Sequence, residues 1–332
     1  MKKLSVITLC LAFIISLLSA CGIKKTEIYY SYDSFDEFIT VGEYSTEIDK
    51  ASDSYLLYEH KYFYETFGDA LYSKHTIGSV EKWDKVNINY FCRKDGKEVD
   101  GGVDIDCNIN VGYFEFGIDA LEQSLIGAPI GKTIYFDIVM DEDYFMPEIA
   151  GQKVQFEVFV NYAMRRNVPT DQQAVKAGFD SVEDYLKESD RQTVSHYLFD
   201  TIYDVTTFNS YPEKETQALL DSLLSYYQLE CDEKGITIEQ KAASMGFTLY
   251  EYKAKLIEGI QKGYTNMPRD LVSYYILRKY GKPLNKEDIR NTQKDIIREI
   301  DTSLSEAGYS DVEIQRIAAY NKALDLLYEK FG

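Results

Sequence analysis

The spacing of apolar residues changes twice along this 332-residue chain. Residues 53–71 carry apolar side chains three or four positions apart, which predicts a helix. Over 85–166 apolar and polar residues alternate, which predicts strands, and Asp95 with Gly96 predicts a hairpin turn between two of them. From 170 to 332 the helical spacing returns. The pattern therefore predicts an α+β domain, an antiparallel sheet wrapped on a short helix, followed by an all-α helical domain.

Individual elements can be placed from the same pattern. Within the α+β region, strand-like runs are predicted at 86–90, 105–111, 133–140 and 153–162, and the short helix at 119–126. In the last region, helices are predicted at 181–208, 213–233, 249–263, 268–280, 286–306 and 311–330. Their broad apolar stripes indicate helices packed against one another.

A recurring boundary motif supports the helical prediction. It consists of a glycine, an aromatic residue and a polar residue, with a glutamate three positions later, which predicts a glycine helix end followed by a capping box. The three occurrences are Gly178-Phe179-Asp180 with Glu183, Gly246-Phe247-Thr248 with Glu251, and Gly308-Tyr309-Ser310 with Glu313.

The first twenty residues have the pattern of an export signal. Lys2 and Lys3 precede a charge-free apolar run at 4–18 that is short for a membrane span. The following Ser19-Ala20-Cys21 resembles the end of a bacterial lipobox, which implies cleavage before Cys21 and a lipid on its thiol. The alternative is an ordinary signal peptide that ends near a cysteine. We therefore expect a signal peptide at 1–20 and a protein tethered outside the cytoplasm, lipid-anchored to the bacterial cell membrane.

The net charge and the tyrosine content restrict the kinds of partner that we expect. The formal net charge is -19, which repels phosphate backbones and disfavours nucleic acid as a partner. The chain contains 29 tyrosines, an amphipathic residue common where one side is apolar and the other is wet. Neighbours on a helix point about 100° apart, so pairs such as Tyr226-Tyr227 and Tyr274-Tyr275 cannot both face one core. Some tyrosines should be exposed or line a groove; the alternative is an aromatic core whose hydroxyls reach solvent.

The cysteine and histidine positions suggest no cofactor. With Cys10 and Cys21 assigned to the signal and anchor, Cys92, Cys107 and Cys231 remain as an odd set without a paired spacing. A bridge between Cys92 and Cys107 is the alternative to buried free thiols, which the apolar neighbours favour. The three histidines, which show no metal-ligand spacing, are His60, His75 and His196.

Three segments of 85–166 carry a family resemblance in their order and spacing. They read KVNINY at 85–90 with DGKEVDGG at 95–102; GIDALEQSLIG at 117–127 with GK at 131–132; and DY at 143–144 with IAGQKVQF at 149–156. Together they resemble the FKBP-type peptidyl-prolyl isomerase domain of trigger factor. Residues 41–44 resemble the strand that leads into that domain, and 167–332 resemble trigger factor's helical client-binding domain. Residues 21–84 are then a tether with a lead-in strand and helix, and no ribosome-binding domain is expected.

The resemblance implies a site and a function. Carried over by position, the residues facing the prolyl-binding bowl are Tyr90, Val99, Asp100, Ile118, Leu121, Tyr144 and Phe156. It also implies that Tyr226, Tyr227, Tyr274 and Tyr275 contact unfolded or proline-containing clients. The implied function is an extracytoplasmic peptidyl-prolyl cis-trans isomerase and chaperone for secreted proteins, without a cofactor.

This chain departs from the family pattern at several positions. Val99 stands where a phenylalanine is usual, Leu121 where an aromatic floor is usual, and Asp119-Ala120 replaces Pro-Gly. These departures shrink the aromatic surface. The second hypothesis is therefore a non-catalytic holdase or surface-assembly lipoprotein that keeps the fold without isomerase activity. Spacing alone instead predicts that the apolar members of the bowl set are ordinary core residues and that Asp100 forms a turn.

Overall fold

The structure is a computed structural model that describes residues 35–142, 144, 146–263, 267–300 and 311–332. The described chain divides into two compact units, each with a hydrophobic core of its own. We call Thr66–Val182 the sheet unit. The helical unit combines the described residues up to Glu65 with those from Glu183 onwards.

The elements follow in chain order. The first are strand β1 (Ile39–Val41) and helix α1 (Asp53–Phe67), which continues into a 3-10 turn at Gly68–Leu71. The sheet unit then contains β2 (Tyr72–His75), β3 (Lys85–Lys94), β4 (Lys97–Asn110), α2 (Asp119–Leu125), β5 (Thr133–Val139), β6 (Lys153–Arg166) and α3 (Asp171–Lys176). The remaining elements are α4 (Val182–Asp204), β7 (Thr206–Phe208), α5 (Glu213–Lys234), α6 (Ile238–Ser244), α7 (Leu249–Lys262), α8 (Met267–Lys279), α9 (Lys286–Ile300) and α10 (Asp311–Phe331).

The sheet unit is built on one antiparallel five-stranded sheet. The strand order is β2-β6-β3-β4, and β5 also pairs with β6. The long strand β6 pairs with β3 along one edge, while its other edge pairs with β5 near residue 156 and with β2 near residue 164. Helix α2 contributes Leu121 and Leu125 to the core that lies on this sheet. The α+β class, an antiparallel sheet on a short helix followed by a mostly helical region, is confirmed.

The turn between β3 and β4 confirms the predicted hairpin. Asp95 and Gly96 have φ values of 51° and 76°, the left-handed conformation that a two-residue turn with this twist requires. Close packing also requires a glycine at Gly102, because a Cβ atom there would lie 2.9 Å from the Cβ of Cys92. The glycine lets β4 pack closely against β3, next to the predicted site.

Two of the predicted helix boundaries have the expected geometry. Gly178 and Gly246 are left-handed, and the amides of Phe179 and Phe247 donate to Ala174 and Ala242, five residues back, as in the Schellman motif. The box at Thr248 is confirmed as well, since its side chain accepts from the amide of Glu251 and Glu251 accepts from that of Thr248. The third motif begins in residues outside the described ranges.

The structure revises several element bounds. The predicted helix 181–208 ends at Asp204, because Thr206–Phe208 forms β7 and pairs with β1. Helices α3 and α6 had no predicted bounds, although the glycine motif predicted their carboxyl-terminal ends, and both begin with a threonine–glutamine capping box. The sheet unit contains β2 and α3 in addition to residues 85–166, and the described residues 35–65 belong to the helical unit.

The amino-terminal predictions lie outside the described residues. These are the signal peptide at 1–20, the lipid site Cys21, and the start of the tether at 22–34. The same holds for 301–306 at the end of the predicted helix 286–306, and for Asp143. Across the part of the chain that the structure describes, no helix combines the length and apolar character needed to cross a bilayer.

Candidate functional site

Four of the predicted bowl residues lie together in the core of the sheet unit. Leu121 and Phe156 are fully buried, and Val99 and Ile118 are nearly so. All four belong to one hydrophobic cluster formed by α2 and the facing side of the sheet. They form an apolar floor, with Leu121 presented by the first turns of α2.

Half-buried aromatic side chains surround this floor. Tyr90, Phe116, Phe136 and Tyr144 all pack against the cluster while keeping part of their surface in solvent. Three ring contacts run from Phe116 to Phe136: Phe116 meets Tyr90 edge-on with centroids 5.9 Å apart, Tyr90 lies 6.0 Å from Phe156, and Phe156 stacks on Phe136 at 6.1 Å. We call this floor with its aromatic rim the aromatic bowl.

The strand register explains how the rings meet. Phe156 on β6 is the partner of Cys92 on β3 and of Phe136 on β5. Side chains at paired positions lie on the same face of a sheet, so Phe136 and Phe156 stack directly. Tyr90 lies two residues before Cys92 and therefore shares that face.

The hydroxyl and thiol groups of the bowl are kept neutral by their surroundings. Burial, with the nearby Cys107 and Asp104, raises the pKa of Tyr90 to about 12, and burial raises the pKa of Tyr144 as well. Burial also raises the pKa of the Cys92 thiol. At neutral pH the bowl therefore presents protonated phenols in an apolar setting, without an ionised acid or base among these groups.

Asp100 has a different position from the other members of the predicted set. It is exposed on β4, directly before Gly101, whose φ is 71°. Asp100 therefore lies within the strand, where the pairing of β4 with β3 is irregular, and not in a turn; it is also not part of the bowl's buried cluster. A side chain on Gly101 would meet the terminal methyl of Met146, 3.9 Å away, at the margin of the same cluster.

Sequence reasoning missed three residues of the bowl. Phe136 lies in a predicted strand, where its alternation with Ile134 and Ile138 was a usable signal for the inward face. Phe116 lies in an irregular loop and gives no periodic signal. Glu122 is 1% exposed, and its carboxylate accepts hydrogen bonds from the backbone amides of Gly112, Phe114 and Phe116 at 2.9–3.1 Å.

The four predicted client-binding tyrosines are not equivalent. Tyr274 is 4% exposed and lies in the core of the helical unit, so it is removed from the candidate client surface. Its neighbour Tyr275 is half-buried, as the helical geometry requires of an adjacent pair. Tyr226 and Tyr227 are also half-buried and contact each other edge-on, with ring centroids 5.5 Å apart.

Two lysines accompany the half-buried tyrosines. The Lys241 ammonium lies 4.8 Å from the Tyr227 ring, and that of Lys279 lies 5.6 Å from the Tyr275 ring. Lys279 also lies 4.6 Å from the ring of Tyr44. The Lys241 ammonium also pairs with the Glu230 carboxylate at 2.7 Å, so its charge is compensated.

The described residues contain no group of three or more histidine, cysteine or acidic side chains placed to hold a metal ion. Cys92, Cys107 and Cys231 are free thiols. The bowl itself has the side chains of a hydrophobic binding site with a few polar tips.

No family model matches the chain. Among known proteins it is similar to the trigger factor of Chelativorans sp. (strain BNC1), 27% identical over 245 residues, which are 70% of this chain and 46% of that protein. Trigger factor of Sinorhizobium medicae (strain WSM419) is 25% identical over 84% of this chain and 53% of the relative. This chain is a distant relative of trigger factors. It spans about half the length of the relatives that it matches.

A solved structure from work on promiscuous substrate recognition in folding and assembly activities of the trigger factor chaperone was also found. The match covers 89% of this chain and 73% of the solved chain, at 15% sequence identity and a TM-score of 0.26. A superposition this loose carries no argument, so the relationship rests on the sequence matches.

Proposed function

We propose that this protein is an extracytoplasmic, membrane-anchored peptidyl-prolyl cis-trans isomerase and chaperone that assists the folding of secreted proteins. The observation that carries the proposal is the aromatic bowl, where the half-buried Tyr90, Phe116 and Phe136 surround a buried apolar floor that includes Phe156. The distant relationship to trigger factors and the lipobox-like Cys21 support the chaperone and anchor parts of the proposal.

The bowl suits this reaction because isomerisation requires no acid, base or metal. The barrier to rotation about a peptide bond is about 18–20 kcal/mol and reflects the loss of amide resonance. The twisted amide has less charge separation than the planar one, so an apolar, poorly hydrated surface favours the transition state over the ground state. The half-buried ring of Tyr90 would contact the prolyl ring above the buried Phe156, and the neutral Tyr144 hydroxyl would donate to a peptide carbonyl.

The isomerase part is tested on the chain without residues 1–20, in a protease-coupled assay with a proline-containing peptide. We expect a rate above that of buffer. Replacing Tyr90 by Leu should lower kcat/KM by roughly tenfold, the upper end of what one aromatic contact contributes. Tyr135→Leu is the matched control, because Tyr135 lies on β5 in the same sheet but is 61% exposed.

A rate equal to that of buffer, from a chain shown to be folded by circular dichroism, would contradict the isomerase proposal. It would leave the second candidate function, a non-catalytic holdase. The observation that favours this alternative is the aliphatic floor, where Val99 and Leu121 provide no aromatic surface. The holdase also predicts suppression of aggregation of an unfolded client, which should weaken when Tyr226, Tyr227 and Tyr275 are replaced by Ser.

The anchor is tested in bacteria supplied with a radioactive fatty acid. The chain should incorporate label, and Cys21→Ala should abolish incorporation because it removes the thiol that receives the lipid. Cys10→Ala is the matched control, since Cys10 lies within the proposed signal peptide and should leave labelling unchanged. Label retained by Cys21→Ala would exclude this anchor.

A further inference from the structure

One side chain accepts hydrogen bonds from three backbone amides of the loop of residues 112–116, which has the sequence Gly-Tyr-Phe-Glu-Phe. The buried carboxylate of Glu122 accepts from Gly112 and Phe114 with one oxygen and from Phe116 with the other, at 3.1, 2.9 and 3.1 Å. Amides at alternate positions thus converge on one anion. Because hydrogen bonds to a charged acceptor are strong, the loop's backbone is fixed relative to α2.

Part of this loop has a backbone conformation that is intrinsically unfavourable for its residue type. Phe114 has a φ of 54°, a region that bulky side chains rarely occupy, and its amide is one of the donors to Glu122. Strain of this kind persists where the surrounding structure enforces it, and it concentrates at functional sites. The consequence here is the position of Phe116 at the end of the loop.

Phe116 faces the bowl. Its ring is half-buried against the bowl's cluster and stands at 89° to the ring of Tyr90, with centroids 5.9 Å apart. The floor next to it consists of Ile118 and Leu121, which are aliphatic. The aromatic surface that Leu121 does not provide is therefore provided by this wall, in addition to the buried ring of Phe156.

We propose that Phe116 is a substrate-contacting residue that binds the prolyl ring, and that Glu122 is the positioning residue that holds it there. This inference rests on the proposed isomerase function. In this arrangement the loop's aromatic wall substitutes for the aromatic floor, and the bowl keeps an aromatic surface although Leu121 is aliphatic.

The chain contains its own reporter of this loop. Trp83 is the only tryptophan, and its ring meets that of Tyr113 edge-on with centroids 5.8 Å apart. Its emission should therefore respond to movement of residues 112–116. Titration of the chain lacking residues 1–20 with a tetrapeptide containing an internal Leu-Pro bond, against its Leu-Ala counterpart, measures binding independently of turnover.

Phe116→Leu should weaken binding of the Leu-Pro peptide and lower kcat/KM by about tenfold, the scale of one lost aromatic contact. Phe114→Leu is the matched control in the same loop, since Phe114 is 38% exposed, and its binding and turnover should stay within about twofold of the parent. Unchanged binding and turnover in Phe116→Leu, with an active parent, would overturn the inference and leave the isomerase proposal intact.

Other outcomes separate the two claims. A parent that binds the Leu-Pro peptide without turnover contradicts the isomerase proposal, while weaker binding by Phe116→Leu still supports the contact. A parent that does not distinguish the two peptides overturns both. In the parent, Glu122→Gln should shift the Trp83 emission and lower turnover. In a chain that already carries Phe116→Leu, adding Glu122→Gln should lower turnover little further. An equal loss in both backgrounds would exclude positioning through Phe116.

Discussion

Replacing Asp270 by Ala should lower the free energy of unfolding of the helical unit by about 3–5 kcal/mol. Asp270 on α8 accepts from the guanidinium Nε of Arg316 on α10 at 2.5 Å, and the two side chains are 1% and 6% exposed. Removing one partner leaves the other charge buried without its counterion, and that desolvation is what makes the substitution costly. The pair lies among the fully buried Leu271 and Ala319, where water cannot readily replace the lost partner.

Urea unfolding followed by circular dichroism at the helix minimum measures this loss. Asp295→Ala is the matched control, because Asp295 pairs with Arg298 in an exposed contact on α9 and should cost less than about 1 kcal/mol. A double replacement, Asp270→Leu with Arg316→Met, should recover part of the stability because it removes both charges of this pair. A loss below 1 kcal/mol for Asp270→Ala would show that the buried pair does not stabilise the unit.

Replacing Glu122 by Ala should destabilise the sheet unit by on the order of 3 kcal/mol, because three backbone amides lose a charged acceptor. Glu122 is almost fully buried, so water can replace the carboxylate only after the loop moves. The effect should be confined to the sheet unit, which contains Trp83. Unfolding followed by tryptophan fluorescence should therefore shift while the helical signal stays in place.

Gln123→Ala is the matched control for this prediction. Gln123 is the next residue on α2, is exposed, and should change stability by no more than about 0.5 kcal/mol. If Glu122→Ala and Gln123→Ala unfold at the same urea concentration, the three hydrogen bonds do not hold the loop. A coincident shift of both spectroscopic signals would instead show that the two units unfold together.

The parts of the fold that local chemistry determines were predictable. The Asp95-Gly96 turn follows from the left-handed conformation that these residues tolerate, and the Gly178 and Gly246 helix ends follow from the same property. Thr248 with Glu251 identified a helix start because the two residues satisfy each other's amides. Each of these signals lies within four residues, so no distant contact is needed to read it.

Pairing between distant segments could not be predicted in the same way. Strands β1 and β7 have three residues each, too few for a periodic pattern, and their partners are more than 160 positions apart in the chain. Tertiary pairing therefore ended the helix at Asp204, although the sequence continues with a helical spacing. Helices α3 and α6, at six and seven residues, are also too short for periodicity to identify.

The site was only partly predictable, for a related reason. The floor residues Leu121 and Phe156 lie in regular elements whose apolar spacing implies burial. Phe116 lies in a loop, and Glu122 is a charged residue whose type predicts exposure. Its burial depends on amides from residues 112–116, which only the folded loop brings together.

The pairing of β1 with β7 places the entire sheet unit between two segments of the helical unit's sequence. A ribosome that synthesises the chain from its amino terminus delivers every residue of the sheet unit before the helical unit is complete. Residues 39–41 cannot pair until residues 206–208 have been synthesised. The ion pair of the buried Asp270 cannot form until Arg316 has been synthesised. The isomerase-like bowl can therefore form while the helical unit is still an unfinished chain. The chain still to be folded at that stage includes Pro212, Pro268 and Pro283.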